Sequence, residues 1–395
     1  MDLFENLSDN QIEAVKTIDE DLEIIACAGA GKTGVVTRRI INILKSNPDV
    51  LPENIVAFTF TEKAAEELKS RVYKYGESVL GNTNGFANMY IGTIHGFCLK
   101  MLQEYIVQFQ KFTVLDEIKT KLYIEKNYNF CSMPDLGLKI YRETNLFLSV
   151  ISTLNENWFE RDKWDEKTRT AVDKYKDTFY RKNYFDYSLI MQEMLNQLEN
   201  NKDFADIILN KIKYLTVDEY QDTNTVQFKL VSLLAGKYQN LCVVGDDDQS
   251  IYKFRGANIM NILNFEKEYP NAKVIKLEQN YRSTSTILNA ANEVIRHNTG
   301  RKEKSLWTEN GEGEKIQFRQ FDSAYDEADY IVSDIKDKVN SGKREYKDFA
   351  ILYRTNAQSR IFEEKMVVSN VPYKIVGGVN FYARREIKDL LAYLK

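Results

Sequence analysis

The sequence predicts an α/β fold with a parallel central sheet, and three observations lead to this class. Short apolar runs alternate with longer amphipathic stretches, which is typical of strands joined by crossover helices. Each run is rich in branched or aliphatic residues and is followed by polar or glycine-rich residues. The first run leads directly into a glycine-rich segment that precedes an amphipathic stretch. The candidate strands are residues 23–27, 55–59, 214–217, 241–245 and 273–277.

A helical insertion is expected to interrupt this α/β domain. From about residue 105 to residue 201 the sequence is rich in Lys, Glu, Tyr and Asn. Apolar residues recur there at helical spacing, as in Leu146, Val150, Ile151 and Leu154. We therefore assign residues 1–104 and 201–277 to the two parts of one α/β domain and residues 105–200 to the insertion.

A second α/β unit is expected over residues 278–395. Residues 316–321 alternate like a strand, and 349–353 and 373–376 have the composition of further strands. A helical stripe lies between them, at Ala328, Ile331, Val332, Ile335 and Val339. An amphipathic pattern runs through 387–394 to the last residue, from which we expect this unit to be incomplete.

Composition narrows the class of protein. Hydrophobic residues make up 43% of the 395, but no run of about 18 apolar residues appears, and the N-terminus is acidic. We expect a cytoplasmic protein without a membrane span. The net charge of −4 argues against a passive DNA-coating protein, although it allows a local DNA groove. With two histidines and four scattered cysteines, a zinc or disulfide framework is not expected.

The glycine-rich segment after the first run has the pattern of a phosphate-binding loop. Residues 26–33 read ACAGAGKT, with alanine in the first glycine position. Lys32 is expected to reach the β- and γ-phosphates of ATP, and the Thr33 hydroxyl to bind Mg²⁺. A simple glycine-rich turn is the alternative. The residues whose small size lets backbone N–H groups surround the phosphates are Ala28, Gly29, Ala30 and Gly31.

Two adjacent carboxylates follow the candidate strand 214–217. Asp218 is expected to hold Mg²⁺ through its water shell, and Glu219 to orient and deprotonate the attacking water. Carboxylates at the end of a strand also occur as helix N-caps, which is the alternative. Their position downstream of a phosphate-binding loop favours the catalytic interpretation.

Six ordered segments together resemble the motifs of the UvrD/Rep/PcrA-type superfamily 1 DNA helicases. They are residues 7–11, 59–65, 92–97, 217–224, 244–257 and 279–283, and residues 350–354 and 385–389 also resemble the family's second motor domain. The resemblance implies a P-loop NTPase with two RecA-like motor domains. The first is split by the insertion, and the second is incomplete, with the family's last motifs expected beyond residue 395.

The same resemblance implies roles for residues of the nucleotide site. Gln11 would contact the adenine of ATP and Tyr281 would stack on it. Gln249 would sense the γ-phosphate and link it to the DNA site. Arg282 would act as an arginine finger; a surface salt bridge is its alternative.

The resemblance also implies a DNA-binding surface. Phe60, Tyr252 and Phe254 would stack on bases, and Thr59, Thr93 and His95 would lie along the strand. The alternatives are a core position for the phenylalanines, a helix cap for Thr93 and a structural role for His95. Glu62 stands where the family usually has asparagine, and its charge makes direct contact with phosphate unfavourable.

The function expected from these motifs is that of an ATP- and Mg²⁺-dependent DNA helicase. It would translocate from 3′ to 5′ on single-stranded DNA or on a 3′-tailed duplex. One alternative is the helicase part of a RecB/AddA-like helicase–nuclease. Another is a module that binds ATP and single-stranded DNA without turnover, because this chain lacks the later motifs and is itself expected to hydrolyse ATP weakly.

Overall fold

The computed structural model describes residues 2–156, 158–376 and 385–393. The chain divides into two compact units, Met1–Glu314 and Lys315–Lys395. Residues 278–314, which the sequence analysis placed with the second unit, make their contacts within the first. The assignment of four domain segments stays a prediction.

The first unit is built on the parallel sheet that the sequence predicts. In the described residues this sheet has six strands in the order β3-β2-β6-β7-β1-β8, and all neighbouring strands are parallel. Two further short strands, β4 and β5, pair in the insertion. The strand bounds are β1 (Leu22–Ala26), β2 (Ile55–Phe58), β3 (Tyr90–Gly92), β4 (Thr113–Val114), β5 (Tyr184–Phe185), β6 (Tyr214–Val217), β7 (Leu241–Gly245) and β8 (Lys273–Leu277).

The helices that cover the sheet and form the insertion belong to the same unit. Their bounds are α1 (Asp9–Lys16), α2 (Lys32–Ser46), α3 (Glu62–Leu80), α4 (Ile94–Tyr105), α5 (Glu117–Lys126), α6 (Thr144–Glu156), α7 (Glu166–Tyr180), α8 (Tyr187–Asn200), α9 (Lys202–Lys211), α10 (Thr225–Ala235), α11 (Met260–Leu263), α12 (Phe265–Glu268) and α13 (Ser285–Ile295). Among the described residues, none of the helices is long and apolar enough to cross a bilayer.

The strand order places three loops side by side. Every residue of β1, β6 and β7 is buried, which is expected for parallel strands covered on both faces. These three strands are consecutive in the sheet, and their carboxyl ends meet at one edge. Such an edge is where open α/β sheets bind their ligands. The loops after β1, β6 and β7 lead to the candidate phosphate and Mg²⁺ residues and to Gln249, whereas Gln11 lies on α1 and Tyr281 and Arg282 follow β8.

The insertion is helical, as predicted, but the buried face of α6 differs from the expected one. Leu146 and Val150 are about half exposed, whereas Phe147 and Ile151 are buried. The helix carries apolar residues on two sides, so periodicity alone does not tell which side faces the core. Phe147 lies edge-on against Tyr175 of α7, with ring centroids 6.1 Å apart, and this contact fixes the inner face.

The second unit contains α14 (Ala324–Asn340), α15 (Ser359–Val368) and α16 (Arg385–Tyr393). The predicted stripe of α14 is confirmed in part, with Ala328, Val332 and Ile335 buried. The strands predicted at 316–321, 349–353 and 373–376 are wrong, because none of these segments pairs with another strand in the described residues. Alternation of apolar residues gives a strand only where a neighbour completes its hydrogen bonds. Residues 377–384 and 394–395 lie outside the described residues.

Candidate nucleotide and DNA sites

The phosphate loop connects β1 to α2. Gly29 and Gly31 have φ angles of 70° and 79°, which residues other than glycine rarely adopt. Gly31 is the N-cap of α2, and no side chain of the described residues caps that helix end. The first-turn N–H groups of α2 are therefore free of a side-chain cap, and the positive end of the helix dipole suits a bound phosphate.

The carboxylate of Glu219 lies directly across from this loop. Lys32 Nζ is 3.3 Å from Glu219 Oε2, and the Gln221 amide donates to the same oxygen at 2.8 Å. Glu219 has a φ of 52°, in the left-handed region, which is uncommon for this residue type and frequent at active sites. In the part of the chain that the structure describes, the side chain of Glu219 makes no helix-capping bond, and the Asp218 carboxylate accepts only from the neighbouring Glu219 N–H, at 3.0 Å.

Burial makes this corner unfavourable for several carboxylates at once. Burial and the neighbouring Glu219 raise the pKa of the Asp218 carboxyl to about 6, against the opposing effect of Lys32. The pKa of Asp222 is also raised to about 6 by burial and by Glu219, and its buried Oδ1 atom has no hydrogen-bond partner among the described residues. A cation close to Asp218 would relieve this repulsion.

The side chains at this corner are suited to a Mg²⁺ ion whose ligands are mainly phosphate oxygens and water molecules. Thr33 is the second residue of α2, which follows β1, and Asp218 follows β6, which is separated from β1 in the sheet by β7 alone. The described residues contain no cluster of three His, Cys, Asp or Glu side chains suited to a metal. Mg²⁺ at nucleotide sites needs only one or two protein ligands, because phosphate oxygens and waters complete its shell.

Gln249 follows β7 and is tied to the same network. Its amide donates to Asp246 Oδ2 at 2.6 Å. The backbone N–H of Asp246 in turn donates to Gln221 Oε1 at 3.0 Å. Gln221 thus joins the loop after β6 to the loop after β7, and Glu219 and Gln249 belong to one chain of hydrogen bonds.

A cavity of about 230 Å³ lies beside the phosphate loop. Gln11, Ala30, Tyr281 and Trp307 are among the residues that line it. The Gln11 amide donates to Ala30 O at 2.9 Å, and its oxygen accepts from Ser8 N–H at 3.0 Å. Trp307 was missed by the sequence analysis, since it lies in none of the motifs.

The segment that carries Arg282 rests on the phosphate loop. Asn280 donates to Ala28 O at 2.7 Å, and Tyr281 N–H donates to Gly29 O at 3.1 Å. A Cβ atom on Gly29 would lie 2.4 Å from Asn280 Nδ2 and 3.1 Å from Arg282 Cβ, so this approach requires glycine. Arg282 is exposed, and no ion pair of its side chain is present in the part of the chain that the structure describes. Asn280, which holds this contact, was also missed.

Three aromatic side chains form a surface that we call the aromatic ladder: Phe60, Tyr252 and Phe254. The Phe60 and Tyr252 rings stack with centroids 4.9 Å apart and an interplanar angle of 27°. Tyr252 and Phe254 are 6.0 Å apart and tilted by 46°. Phe254 is 78% exposed and Phe60 38%, so neither is a core residue.

The other candidate DNA residues have local partners. Thr59 is buried, and its hydroxyl donates to Thr61 O at 3.1 Å. Thr93 caps α4 through Gly96 N–H and donates to Glu62 Oε1 at 2.8 Å. These bonds show that Thr93 is a helix cap and leave a role along DNA as a prediction.

His95 packs edge-on against Tyr187, with ring centroids 5.5 Å apart. Burial lowers the pKa of the His95 imidazole to about 4, so the ring is neutral at physiological pH. Tyr187 is half exposed and was not among the candidate residues. Because Tyr187 contacts His95, it is a further aromatic residue beside the candidate DNA-binding residues.

The fold and these loops together define a class. A parallel sheet that presents a glycine-rich P-loop, an adjacent pair of carboxylates and a glutamine at one edge is the RecA-like P-loop NTPase arrangement. The chain belongs to the UvrD/REP helicase family. The family model described as the UvrD/REP helicase N-terminal domain matches residues 7–270, and that of the UvrD-like helicase C-terminal domain matches residues 275–395.

Curated relatives agree with this membership. The chain is 44% identical over 404 residues to a protein of Staphylococcus epidermidis. It is 44% identical over 407 residues to one of Staphylococcus aureus. Both relatives carry the name ATP-dependent DNA helicase PcrA. The alignments cover 100% of this chain and 54% of each relative, so the chain spans about half the length of the curated relatives it matches.

Proposed function

We propose that this chain is the ATP-binding and DNA-binding part of an ATP-dependent DNA helicase that translocates on single-stranded DNA. The observation that carries the proposal is the loop after β7. At one end, Gln249 bonds to Asp246 beside the nucleotide corner. Three and five residues later, Tyr252 and Phe254 stand in the aromatic ladder. One short loop therefore connects the two candidate sites.

At the nucleotide corner the proposed roles follow from the contacts. Lys32 would bind the β- and γ-phosphates of ATP, and Thr33 and Asp218 would hold Mg²⁺, which polarises the phosphate. Lys32 is the ion-pair partner of Glu219. Once Lys32 turns to the phosphates, Glu219 would be released to orient water and accept its proton. Gln221 keeps the Glu219 carboxylate in place during this exchange.

The segment from Asn280 to Arg282 would complete the corner. Its contacts with the phosphate loop hold Arg282 beside Gly29, which supports a role in which the guanidinium would stabilise the charge that develops on the γ-phosphate. Tyr281 would stack on the adenine in the cavity that Gln11 borders. Gln249 would exchange its bond with Asp246 for one with the γ-phosphate, and this exchange would move the loop that carries Tyr252 and Phe254.

The ladder would bind single-stranded DNA by stacking. Phe60, Tyr252 and Phe254 present ring faces or edges, and every base has a face that stacks on them. Such binding is independent of sequence, as a translocating motor requires. We propose single-stranded DNA or a 3′-tailed duplex as substrate and 3′-to-5′ movement, which the family resemblance implies.

Hydrolysis of ATP with and without oligo-dT tests this function. In the full-length protein we expect stimulation by the oligonucleotide, Mg²⁺ dependence and weaker DNA affinity as salt rises; the 395-residue chain alone should hydrolyse ATP weakly. The protein should bind blunt duplex less well than the single strand. Binding of ATP and DNA without stimulated hydrolysis in the full-length protein would instead favour a module without turnover.

A further inference from the structure

A short segment after α13 places three cationic side chains against the aspartates that follow β7. We call Arg301, Lys302 and Lys304 the basic clasp, and Asp246–Asp248 the aspartate run. More than 50 residues separate the two along the chain. The residues of the basic clasp belong to none of the motifs described above, and the proposed function assigns them no role.

Lys304 is the centre of the clasp. Its side chain is fully buried, and the ammonium contacts all three aspartates. Nζ is 3.2 Å from Asp246 Oδ1 and 2.9 Å from Asp248 Oδ2, and it also pairs with Asp247 Oδ1. Burial opposes the charge, but the bonds to Asp247 and Asp248 raise the pKa of the Lys304 ammonium. A buried cation of this kind fixes the geometry of the groups around it.

Arg301 and Lys302 bind the outer parts of the cluster. Arg301 makes a bidentate pair with Asp248, with Nε and Nη2 at 2.8 and 2.6 Å from its oxygens. Lys302 N–H donates to Asp247 Oδ2 at 2.9 Å, and its ammonium pairs with the buried Glu23 of β1. The side chain of Arg301 makes no contact with Asp246, which distinguishes it from Lys304 within the part of the chain that the structure describes.

The contact between Lys304 and Asp246 leads directly into the proposed nucleotide network. Asp246 gives Oδ1 to Lys304 and Oδ2 to the Gln249 amide. Its N–H donates to Gln221, which in turn holds Glu219. Asp246 alone therefore links Lys304 to the proposed γ-phosphate sensor, Gln249. Asp246 and Gln221 link Lys304 to the proposed base, Glu219. Among the hydrogen bonds and ion pairs of the described residues, none joins Lys304 directly to Gln249 or Glu219.

We propose that Lys304 is a positioning residue for Gln249. By neutralising and orienting the Asp246 carboxylate, the buried ammonium sets the place from which the Gln249 amide reaches the γ-phosphate. Without it, three adjacent carboxylates repel one another and the loop after β7 loses its fixed starting geometry. This inference rests on the proposed function, since Gln249 needs a γ-phosphate to sense.

The test compares Lys304→Met with Arg301→Met in the full-length protein. Each variant removes one cation from the same segment, but only Lys304 contacts Asp246. We expect kcat for DNA-stimulated ATP hydrolysis to fall about 100-fold in Lys304→Met, the scale of a misplaced catalytic group, with KM for ATP nearly unchanged. Arg301→Met should keep most of kcat. Thermal unfolding of both variants reports general damage to the fold.

A double-mutant cycle with Gln249→Ala decides whether Lys304 acts through Gln249. In the Gln249→Ala background, Lys304→Met should cost little further kcat. If the two losses multiply, or if Arg301→Met lowers kcat as much as Lys304→Met, the positioning role is wrong. Should Lys304→Met not fold, Asp246→Asn, which keeps the side-chain shape, takes its place in the same cycle. A wild-type protein that hydrolyses no ATP would contradict the proposed function instead, so the two failures are distinguishable.

Discussion

The two candidate sites of the first unit differ in how their side chains are held. At the nucleotide corner, Glu219, Gln221 and Gln249 are joined by hydrogen bonds of 2.6–3.0 Å. In the aromatic ladder, the rings contact one another and remain open to solvent, with Phe254 78% exposed. A site for phosphoryl transfer needs fixed charges, whereas a site for any base needs accessible ring faces. Changes at the corner should therefore act on chemistry, and changes at the ladder on affinity.

The largest effect is expected from Glu219→Gln. The amide keeps the size of the side chain but cannot accept a proton from water. In the full-length protein we expect kcat for ATP hydrolysis to fall by about 10²–10⁴, the usual contribution of general base catalysis, while Mg²⁺-ATP still binds. Glu20→Gln, at an exposed carboxylate, is the matched control. A normal rate in Glu219→Gln would assign the base elsewhere.

Lys32→Ala should act on binding as well as on the reaction. The substitution removes a charge-assisted bond to phosphate, worth about 1.5–3 kcal/mol, so ATP affinity should fall at least about tenfold. Fluorescent nucleotide titration measures this change. Lys45→Ala, in the last turn of the same helix, removes the same charge away from the loop and should leave affinity unchanged. Equal losses in both variants would point to general electrostatics.

Phe254→Ala should weaken DNA binding and leave ATP binding intact. Loss of one stacked base costs about 1–3 kcal/mol of affinity for a single strand. Fluorescence anisotropy with labelled oligo-dT at fixed salt gives the value. Phe130→Ala removes another exposed ring, in the insertion, and serves as control. An unchanged oligo-dT affinity in Phe254→Ala would exclude the ladder as the stacking surface.

What the sequence predicts well in this chain is what neighbouring residues encode. Five of the six described strands of the main sheet and the phosphate loop follow from composition over four to eight residues, whereas the short edge strand β3 was not predicted. The edge at which the loops after β1, β6 and β7 meet follows from parallel pairing. The exposed state of Phe60 and Phe254 follows only from the family resemblance, because a lone phenylalanine is more often buried.

What escapes the sequence depends on contacts between distant segments. Trp307, Asn280 and Lys304 reach the site through pairings that local patterns do not contain. Lys304 and Asp247 are 57 residues apart, and Asn280 and Ala28 are 252 apart. The prediction of strands in the second unit was wrong for the same reason, because the alternation of apolar residues at 316–321 does not show whether a neighbouring strand is present to pair with it. Local sequence patterns therefore predict the motifs, whereas the residues that hold the motifs in place are found only from the long-range contacts of the folded chain.

The smallest effect is expected from His95, and it tests whether the DNA side differs from the nucleotide corner in having no fixed charge. If the DNA side works by stacking alone, His95 contributes no positive charge. Burial lowers the pKa of its imidazole to about 4, so the ring stays neutral from pH 5.5 to pH 8. A histidine that paired with phosphate would have its pKa raised instead, and DNA affinity would rise as pH falls through about 6.5. We expect affinity for oligo-dT, measured without nucleotide at constant ionic strength, to change less than about threefold over this range. The other histidine, His297, is exposed, and His297→Asn sets the baseline. Tighter binding below pH 6.5 that disappears in His95→Asn and persists in His297→Asn would show a cationic contact, and the DNA side would then depend on fixed charge as the nucleotide corner does.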